Sequence, residues 1–477
     1  MRLDRLLENS GVTEVNGRTD IEIENLSFDT RTLDESSIFV CIKGINTDRH
    51  KFVEQVISKG CRAIVTEYPV DCGDITNVVV KDTNKALAII ASNFYGNPDK
   101  KLKVIGVTGT NGKTTITTLL CTMLENCGYK TGLIGTNDIK IDKKVIPADH
   151  TTPEAPQLFE YFSEMVKAGC EYAVMEVSSH SVSLDRIYGI EFELGVFTNL
   201  TQDHLDYHIT MENYAQAKAK FFSYCKNAVI NIDSDYSDII TKGVIGKLIT
   251  YAVKKDASFK AVDVIHTDSG VKYNVANKEI SIDFPIPGTF SVYNSLAVCA
   301  TSYVLGIDKA DISGSLKNAS TVKGRCELVS VDKPYKVIID YAHTPDGMEN
   351  ILTTINEFKK GNIITVFGCG GDRDKGKRPK MGAMGKKYSD ILVVTSDNPR
   401  SEQPEAIIDD IMAGINDMEN VYREADRKEA IKLAMSIAKK DDIVLLLGKG
   451  HETVQKFDGY TVEFDERKIV RELCDLV

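Results

Sequence analysis

The chain has 477 residues, about three times the ~150 residues that one domain usually holds, so a single hydrophobic core is excluded and roughly three domains are expected. Hydrophobic residues make up 42% and charged residues 27%, which excludes disorder, a fibre or a disulfide scaffold. With 58 Lys and Arg against 69 Asp and Glu the net charge is -11, so the broad basic field that attracts nucleic acid or anionic lipid is missing, while local basic clusters can still bind small anions. The 11 cysteines include no C-x-x-C pair, which argues against a zinc ribbon or a thioredoxin-type site and for a reducing compartment. The opening segment MRLDRLLENS is charged and lacks the apolar run of a signal peptide. Apolar runs such as 443–447 fall far short of the roughly 20 residues that span a bilayer. The expectation is a cytoplasmic protein with no nucleic-acid or membrane partner, its oligomeric state open.

Three blocks are expected along the chain. Residues 1–101 make the first, closed by Gly96-Asn97-Pro98-Asp99-Lys100-Lys101, a turn-and-charge cluster of the kind that joins domains. The second, 102–325, opens on an apolar strand at 103–107, continues with strands predicted at 172–177, 196–200 and 228–232, and ends near Val322-Lys323-Gly324-Arg325. The third, 326–477, alternates most regularly, with strands predicted at 337–341, 363–367, 391–395 and 443–447. Met348, Ile351, Leu352, Ile355 and Phe358 repeat at helical spacing, as do Ile407, Ile408, Ile411, Met412 and Ile415. Apolar strands alternating with amphipathic helices predict an α/β protein with parallel sheets covered on both faces.

Between the strand at 103–107 and a helix with the stripe Ile116, Leu119, Leu120, Met123 and Leu124 lies Gly106-Val107-Thr108-Gly109-Thr110-Asn111-Gly112-Lys113-Thr114-Thr115. Backbone N–H groups in such a loop, with the positive end of the helix, cradle phosphates; Lys113 can reach the terminal phosphates and Thr114 can ligate Mg²⁺. The strict G-x-x-x-x-G-K-[ST] pattern needs glycine at 107, where this chain has Val107. Asn84-Lys85-Ala86-Leu87 lacks the aspartate of an N-K-x-D guanine reader and precedes the loop, which favours ATP over GTP. Glu176 closes a buried strand ahead of Ser178-Ser179-His180, a place from which a carboxylate can hold Mg²⁺ near phosphates. Asp203-His204-Leu205-Asp206-Tyr207-His208 reads equally as a solvated loop, and Lys218 and Lys220 lie on a predicted helix, where lysines are usually solvated. In the third block, Asp340-Tyr341-Ala342-His343-Thr344-Pro345-Asp346 closes a strand and opens a helix with Thr344 as N-cap. Residues 368–378, rich in glycine and cations, follow the next strand and invite an anionic ligand, whereas Asp397-Asn398-Pro399-Arg400 reads locally as a turn.

Taken in order, these segments resemble the Mur ligases, ATP-dependent amide-forming enzymes of peptidoglycan precursor synthesis, over essentially the whole chain. Residues 109–115 are similar to the family's G-T-N-G-K-T-T loop, 176–180 to its E-V-S-S-H, 199–208 to its N-L-T-x-D-H-L-D-Y-H and 340–346 to its D-Y-A-H-x-P-D. Lys218, four residues after Tyr214, falls where the family has a carbamoylated lysine. Phe28-Asp29-Thr30-Arg31 and Ile38-Phe39-Val40 resemble the UDP-sugar segment of the members that add the third peptide residue, with Thr30 where serine is common; 370–378 and 397–400 resemble their amino-acid pocket. The chain departs at Leu184, where some relatives carry glutamine, and at Ser291, where asparagine is frequent, which leaves Asn294 as the expected adenine contact.

The resemblance implies a UDP-sugar-binding domain, a central P-loop ATPase-like parallel sheet and a C-terminal Rossmann-like domain that binds the amino acid. It implies addition of meso-diaminopimelate to UDP-N-acetylmuramoyl-L-alanyl-D-glutamate through an acyl-phosphate, with ATP as co-substrate and Mg²⁺ as cofactor. The catalytic residues it implies are Lys113, Glu176, His204 and Lys218, and the metal ligands are Thr114, Glu176, His204 and carbamoylated Lys218. ATP falls to Gly109, Thr110, Asn111, Gly112, Lys113, Thr114, Thr115, Asn294, Arg325 and Asp340; the UDP substrate to Thr30, Thr151, Thr152, Ser178 and Arg186. Diaminopimelate falls to Arg373, Asp397, Asn398, Pro399, Arg400, Gly448 and Glu452. The alternatives are an L-lysine-adding member, a folylpolyglutamate-type ligase or another P-loop ATPase. D-N-P-R at 397–400 points away from lysine, and the UDP-sugar-like segment points away from folate.

Overall fold

A computed structural model of the chain describes residues 1–44, 47–267 and 269–474; the last three residues of the third block lie outside them. The near-continuous apolar run of Lys103–Thr108 suits a strand buried on both faces, and it sits inside a sheet of 11 strands. Its parallel neighbours are Tyr172–Glu176, with Glu176 opposite Val107, and Phe192–Phe197, with Phe197 opposite Thr108. Thr131–Ile134, Cys225–Asn231 and Lys247–Ala252 extend this parallel core outwards. Antiparallel strands finish both edges. Alternation sends Val104, Ala173 and Met175 to one face and Ile105, Val107 and Val174 to the other, where helices Lys113–Asn126 and Thr289–Val304 cover them.

The first sheet runs in the order Val12–Asn16, Thr76–Val80, Ala63–Thr66, Ser37–Val40 and Asn25–Ser27, and its core is continuous with one face of the central sheet. The third sheet runs Glu327–Val329, Lys336–Asp340, Ile443–Leu447, Ile363–Phe367, Ile391–Val394 and Val421–Arg423, all parallel after the first. Because the last parallel strand in sequence, Ile443–Leu447, inserts between Lys336–Asp340 and Ile363–Phe367, the order reverses there. The loops after these strands open into one crevice at their carboxyl ends.

The strand expected at 196–200 lies earlier, at Phe192–Phe197. Thr198 and Asn199 leave the sheet because they serve the glycine loop: the Thr198 hydroxyl donates to the Asn111 carbonyl (2.6 Å) and Asn199 Oδ1 accepts from the Asn111 N–H (2.9 Å). The helix of Ile407 ends at Met412, short of Ile415, where Gly414 follows. Among the described residues no cysteine is in a disulfide. Among the described residues no helix is long and apolar enough to cross a membrane.

Candidate active site

The glycine loop joins strand Lys103–Thr108 to helix Lys113–Asn126. Gly112, the helix N-cap, has φ +86°, and a Cβ there would stand 2.7 Å from Asn294 Oδ1, so both backbone and space require glycine. Lys113 Nζ donates to the carbonyls of Gly109 (2.9 Å) and Thr110 (2.8 Å). Burial pushes its pKa down, against the pull of Glu176. Arg325, whose guanidinium lies over the Tyr341 ring, donates to Thr114 Oγ1 at 2.9 Å. The linker into the third unit therefore already touches the loop.

Glu176 is fully buried, its oxygens accepting from the Thr136 N–H (2.8 Å) and hydroxyl (3.0 Å). His204 has a left-handed backbone (φ 54°), and burial lowers its pKa to about 3, so its imidazole is neutral and keeps a lone pair to offer. Lys218 is not solvated: it is 1% exposed, lies over the Tyr214 ring, and donates to the Gly109 carbonyl at 3.0 Å. Burial and then the Lys113 cation push its pKa well down. Asp203, also buried, faces His204 Nε2 (3.4 Å) and, from the third unit, His343 Nε2 and Lys377 Nζ (both 3.7 Å). Burial raises its pKa, but His343, His204 and Lys377 outweigh that and hold the carboxyl well below its usual range.

The opposite wall comes from the strand ends of the third sheet. Asn398 Nδ2 donates to Glu452 Oε2 at 2.8 Å, and Asn398 Oδ1 accepts from Lys449 Nζ at 3.1 Å. Asp397 accepts from the Asn398 N–H at 2.7 Å through Oδ1, while its buried Oδ2 has no hydrogen-bond partner among the described residues. Arg400, left-handed at φ 53°, donates to the Gly371 carbonyl at 2.6 Å, and burial followed by Arg373 lowers its pKa.

A cavity of about 280 Å³ joins the two walls: Lys113, Thr114, Glu176 and His204 line one side, and Arg373, Asp397, Asn398, Arg400, Gly448 and Glu452 the other. An adjoining cavity of about 390 Å³ is lined by Asn111, Gly112, Thr115, Tyr293, Asn294, Arg325 and Asp340. A third, about 260 Å³, lies between the first and central sheets, with Lys43, Arg49, Asn84, Leu184 and Arg186 in its wall.

Residues 107–302 match the family model described as Mur ligase middle domain, and 324–450 match the one described as Mur ligase, glutamate ligase domain. The chain belongs to the Mur ligase family. Over 486 residues it is 46% identical to a UDP-N-acetylmuramoyl-L-alanyl-D-glutamate--2,6-diaminopimelate ligase of Clostridium perfringens (strain 13 / Type A), with 100% of both chains covered. It is 46% identical over 481 residues to the enzyme of the same name from Clostridioides difficile (strain 630), covering 99% of each. A solved structure of a UDP-N-acetylmuramoyl-L-alanyl-D-glutamate--2,6-diaminopimelate ligase superposes at TM-score 0.71 and 30% identity, covering 100% of this chain and 99% of that one. A Mycobacterium tuberculosis folylpolyglutamate synthase, solved with ADP and AMPPCP, matches at TM-score 0.63 and 19% identity over 75% of this chain and 91% of that one, a likeness of fold alone.

Most residues expected from sequence gather in this Mur ligase's three cavities. Thr151 lines the reaction chamber, while Thr152 donates to the Glu176 carbonyl (2.9 Å) and accepts from the Ser178 N–H (3.1 Å), so Thr152 and Ser178 brace the strand end. Arg186 donates to the Thr152 carbonyl at 2.9 Å and pairs with Glu154 at 2.6 Å. Pro399 turns the chain between Asn398 and Arg400 and lines none of these three cavities. Asp340 spends both oxygens on backbone N–H groups, those of Cys326 and Ala342 (2.7 Å each), which fixes the linker beside the nucleotide cavity. Thr30 is not brought to the others: it lines none of these cavities, and its carbonyl accepts from Lys59 Nζ at 2.6 Å. Residues overlooked in the sequence include Lys43 and Arg49, which carry no local motif, while Asn84, weighed only within a failed guanine-reader match, joins them in the third cavity. The burial of Lys218 was foreshadowed, since Tyr214, Ala215 and Phe222 place it within the apolar stripe of its helix.

Proposed function

We propose that this Mur ligase uses ATP to join meso-diaminopimelate to the D-glutamyl side-chain carboxylate of UDP-N-acetylmuramoyl-L-alanyl-D-glutamate. The observation that carries the reading is the 280 Å³ chamber, where the phosphate-binding lysine and the acceptor cluster face each other across one space. ATP occupies the adjoining cavity with its base beside Asn294, its phosphates entering the chamber over residues 109–115. The cations Lys43, Arg49 and Arg186 suit the diphosphate of the UDP substrate.

The substrate carboxylate attacks the γ-phosphate to give an acyl-phosphate, and the acceptor amine then displaces phosphate through a tetrahedral intermediate. Phosphoryl transfer of this kind is catalysed by positioning and charge stabilisation. Lys113 turns from the Gly109 and Thr110 carbonyls to the transferring phosphoryl group. Magnesium, when bound, supplies further neutralisation of phosphate charge. Thr114, Glu176 and His204 would hold it; a hydroxyl and a carboxylate opening on one cavity fit an ion that shares its shell with phosphate and water. Burial favours the neutral form of the Lys218 amine, the form that adds CO₂, releasing a proton and leaving a carbamate anion suited to the same cation. Asp397 and Glu452 take the distal ammonium of diaminopimelate, and Arg400 with Asn398 its distal carboxylate. We place the domain boundaries near residues 101 and 325 and the enzyme in the cytoplasm.

The test is to incubate the protein with ATP, Mg²⁺, the UDP-muramoyl dipeptide and single amino acids, then weigh the products and measure phosphate. The expected result is a diaminopimelate adduct and phosphate release only when every substrate is present. Diaminopimelate should lead L-lysine in kcat/KM by about 10⁴, the scale on which a site built for a polar group rejects an analogue without it. Equal values, or lysine ahead, overturn the acceptor assignment; phosphate release without acceptor points to a simple ATPase.

A further inference from the structure

Strand Ile443–Leu447 delivers the loop Gly448-Lys449-Gly450-His451-Glu452 to the acceptor wall. Glu452 and Gly448 line the chamber, whereas the Lys449 side chain is 0% exposed behind them. Its Nζ stands 3.1 Å from Asn398 Oδ1 and 3.1 Å from Glu452 Oε2, with the Phe464 ring beside it. Burying an ammonium is costly unless its partners compensate it, so this arrangement is a built feature of the wall.

We infer that Lys449 is a positioning residue that sets the preference for diaminopimelate over lysine, by fixing the Asn398 amide and by neutralising one carboxylate of the acceptor wall. The inference rests on the acceptor reading given above and adds to it the group that orients the contacts. Asn398 Oδ1 accepts from both Lys449 Nζ and the Lys456 N–H (3.0 Å). The amide nitrogen must then face Glu452 and the chamber, because the flipped amide would set its NH₂ against an ammonium and an N–H. Lys449 therefore decides that Asn398 presents a donor where a diaminopimelate carboxylate needs one.

The charge balance points the same way. Arg373, Arg400 and Lys449 oppose Asp397 and Glu452 around this wall. The distal end of diaminopimelate carries an ammonium and a carboxylate and is neutral, whereas that of lysine carries only the ammonium. Removing one positive charge makes the wall more negative, which favours lysine relative to diaminopimelate.

The test compares steady-state kinetics of the full-length wild type with Lys449→Met, Lys449→Arg and the double variant Lys449→Met/Glu452→Gln, each with diaminopimelate and with L-lysine. For Lys449→Met the KM for diaminopimelate should rise by about 30-fold, the scale on which truncating one partner of a buried charge pair weakens a complex. The diaminopimelate-to-lysine ratio of kcat/KM should fall with it, while the KM values for ATP and the UDP substrate stay where they are. Lys449→Arg should recover part of the ratio. The double variant, which removes both charges and so tolerates burial better, should still show a ratio below wild type because the Asn398 amide is no longer fixed, but a higher one than Lys449→Met because the charge of the wall is restored. An unchanged ratio in Lys449→Met overturns the inference, as does a rise in the KM for ATP equal to that for diaminopimelate, the mark of a merely structural role. Where Lys449→Met does not fold, a double variant that keeps the wild-type ratio overturns it too. A wild type that prefers lysine, by contrast, overturns the acceptor reading itself, whatever the variants do.

Discussion

The two walls of the reaction chamber handle charge in opposite ways. On the phosphate wall, half-buried Lys113 and, behind it, fully buried Lys218 are hydrogen-bonded to backbone carbonyls, with no carboxylate paired to either in the hydrogen bonds described, and burial lowers the pKa of both. On the acceptor wall, Lys449, Glu452 and Asn398 are already paired with one another. The difference matches what each wall receives. A wall whose lysines hold only backbone carbonyls can turn them to a polyanion such as ATP without breaking an ion pair. A wall whose lysine, carboxylate and amide are already paired with one another gains less from charge as such and selects by the placement of donors and acceptors.

The sharpest way to break this contrast is at Lys113. Lys113→Ala should abolish ligation in a folded protein, a loss of at least about 10² to 10³ in kcat, since it removes a cation aimed at developing charge. Normal turnover by a folded variant, checked by circular dichroism beside the assay, would end that role. Lys218→Ala should be nearly as severe but differ in kind: if the residue works as a carbamate, small carboxylates such as acetate should restore part of the activity. An intact lysine without bound carbamate in a density map of active protein would refute the modification.

How much of this was readable in the sequence follows from how local each wall is. The phosphate wall rests on one contiguous strand–loop–helix segment, so residues 103–126 announced both fold and chemistry. The acceptor wall is assembled from the ends of neighbouring parallel strands; Asp397 to Arg400 alone looked like a turn, and only family resemblance joined it to Glu452. Asp203 read as easily as a solvated loop residue, because its partners His343 and Lys377 lie on another sheet unit. On residue type alone Lys218 reads as solvated and only the resemblance singles it out, although its spacing from Tyr214 and Phe222 places it inward. Thr30 shows the converse: a good local motif does not bring a side chain to a cavity.

Arg400 tests the acceptor wall alone. Arg400→Ala should cost diaminopimelate more than lysine, by about 2 kcal/mol in transition-state binding, on the scale of a lost hydrogen bond to a charged group. The KM for ATP should hold. An equal loss for both amino acids would mean that Arg400 supports the loop and does not read the distal carboxylate.

The smallest effect expected lies behind that wall, where Arg378, fully buried, donates to the Gly370 carbonyl (3.2 Å) and pairs with Glu402 (2.8 Å) and Asp410 (2.9 Å). Glu402 also accepts from the Asp372 N–H at 2.7 Å, so it ties residues 370–373 to the turn that follows Arg400. The hydrogen bond from Arg378, against a smaller effect of burial, lowers the Glu402 pKa from 4.5 to about 2. A carboxyl depressed in the folded state binds protons more readily when unfolded, so its contribution is full above pH 4.5 and is lost as pH falls towards 2. Glu402→Gln should therefore lower stability at neutral pH by about 2 kcal/mol, the scale of a hydrogen bond to a charged group. Urea unfolding of both proteins from neutral pH downwards checks the sign: the gap between them should close as acid protonates the wild-type carboxyl. A gap undiminished at about pH 3 would show that Glu402 acts through packing and not through its charge.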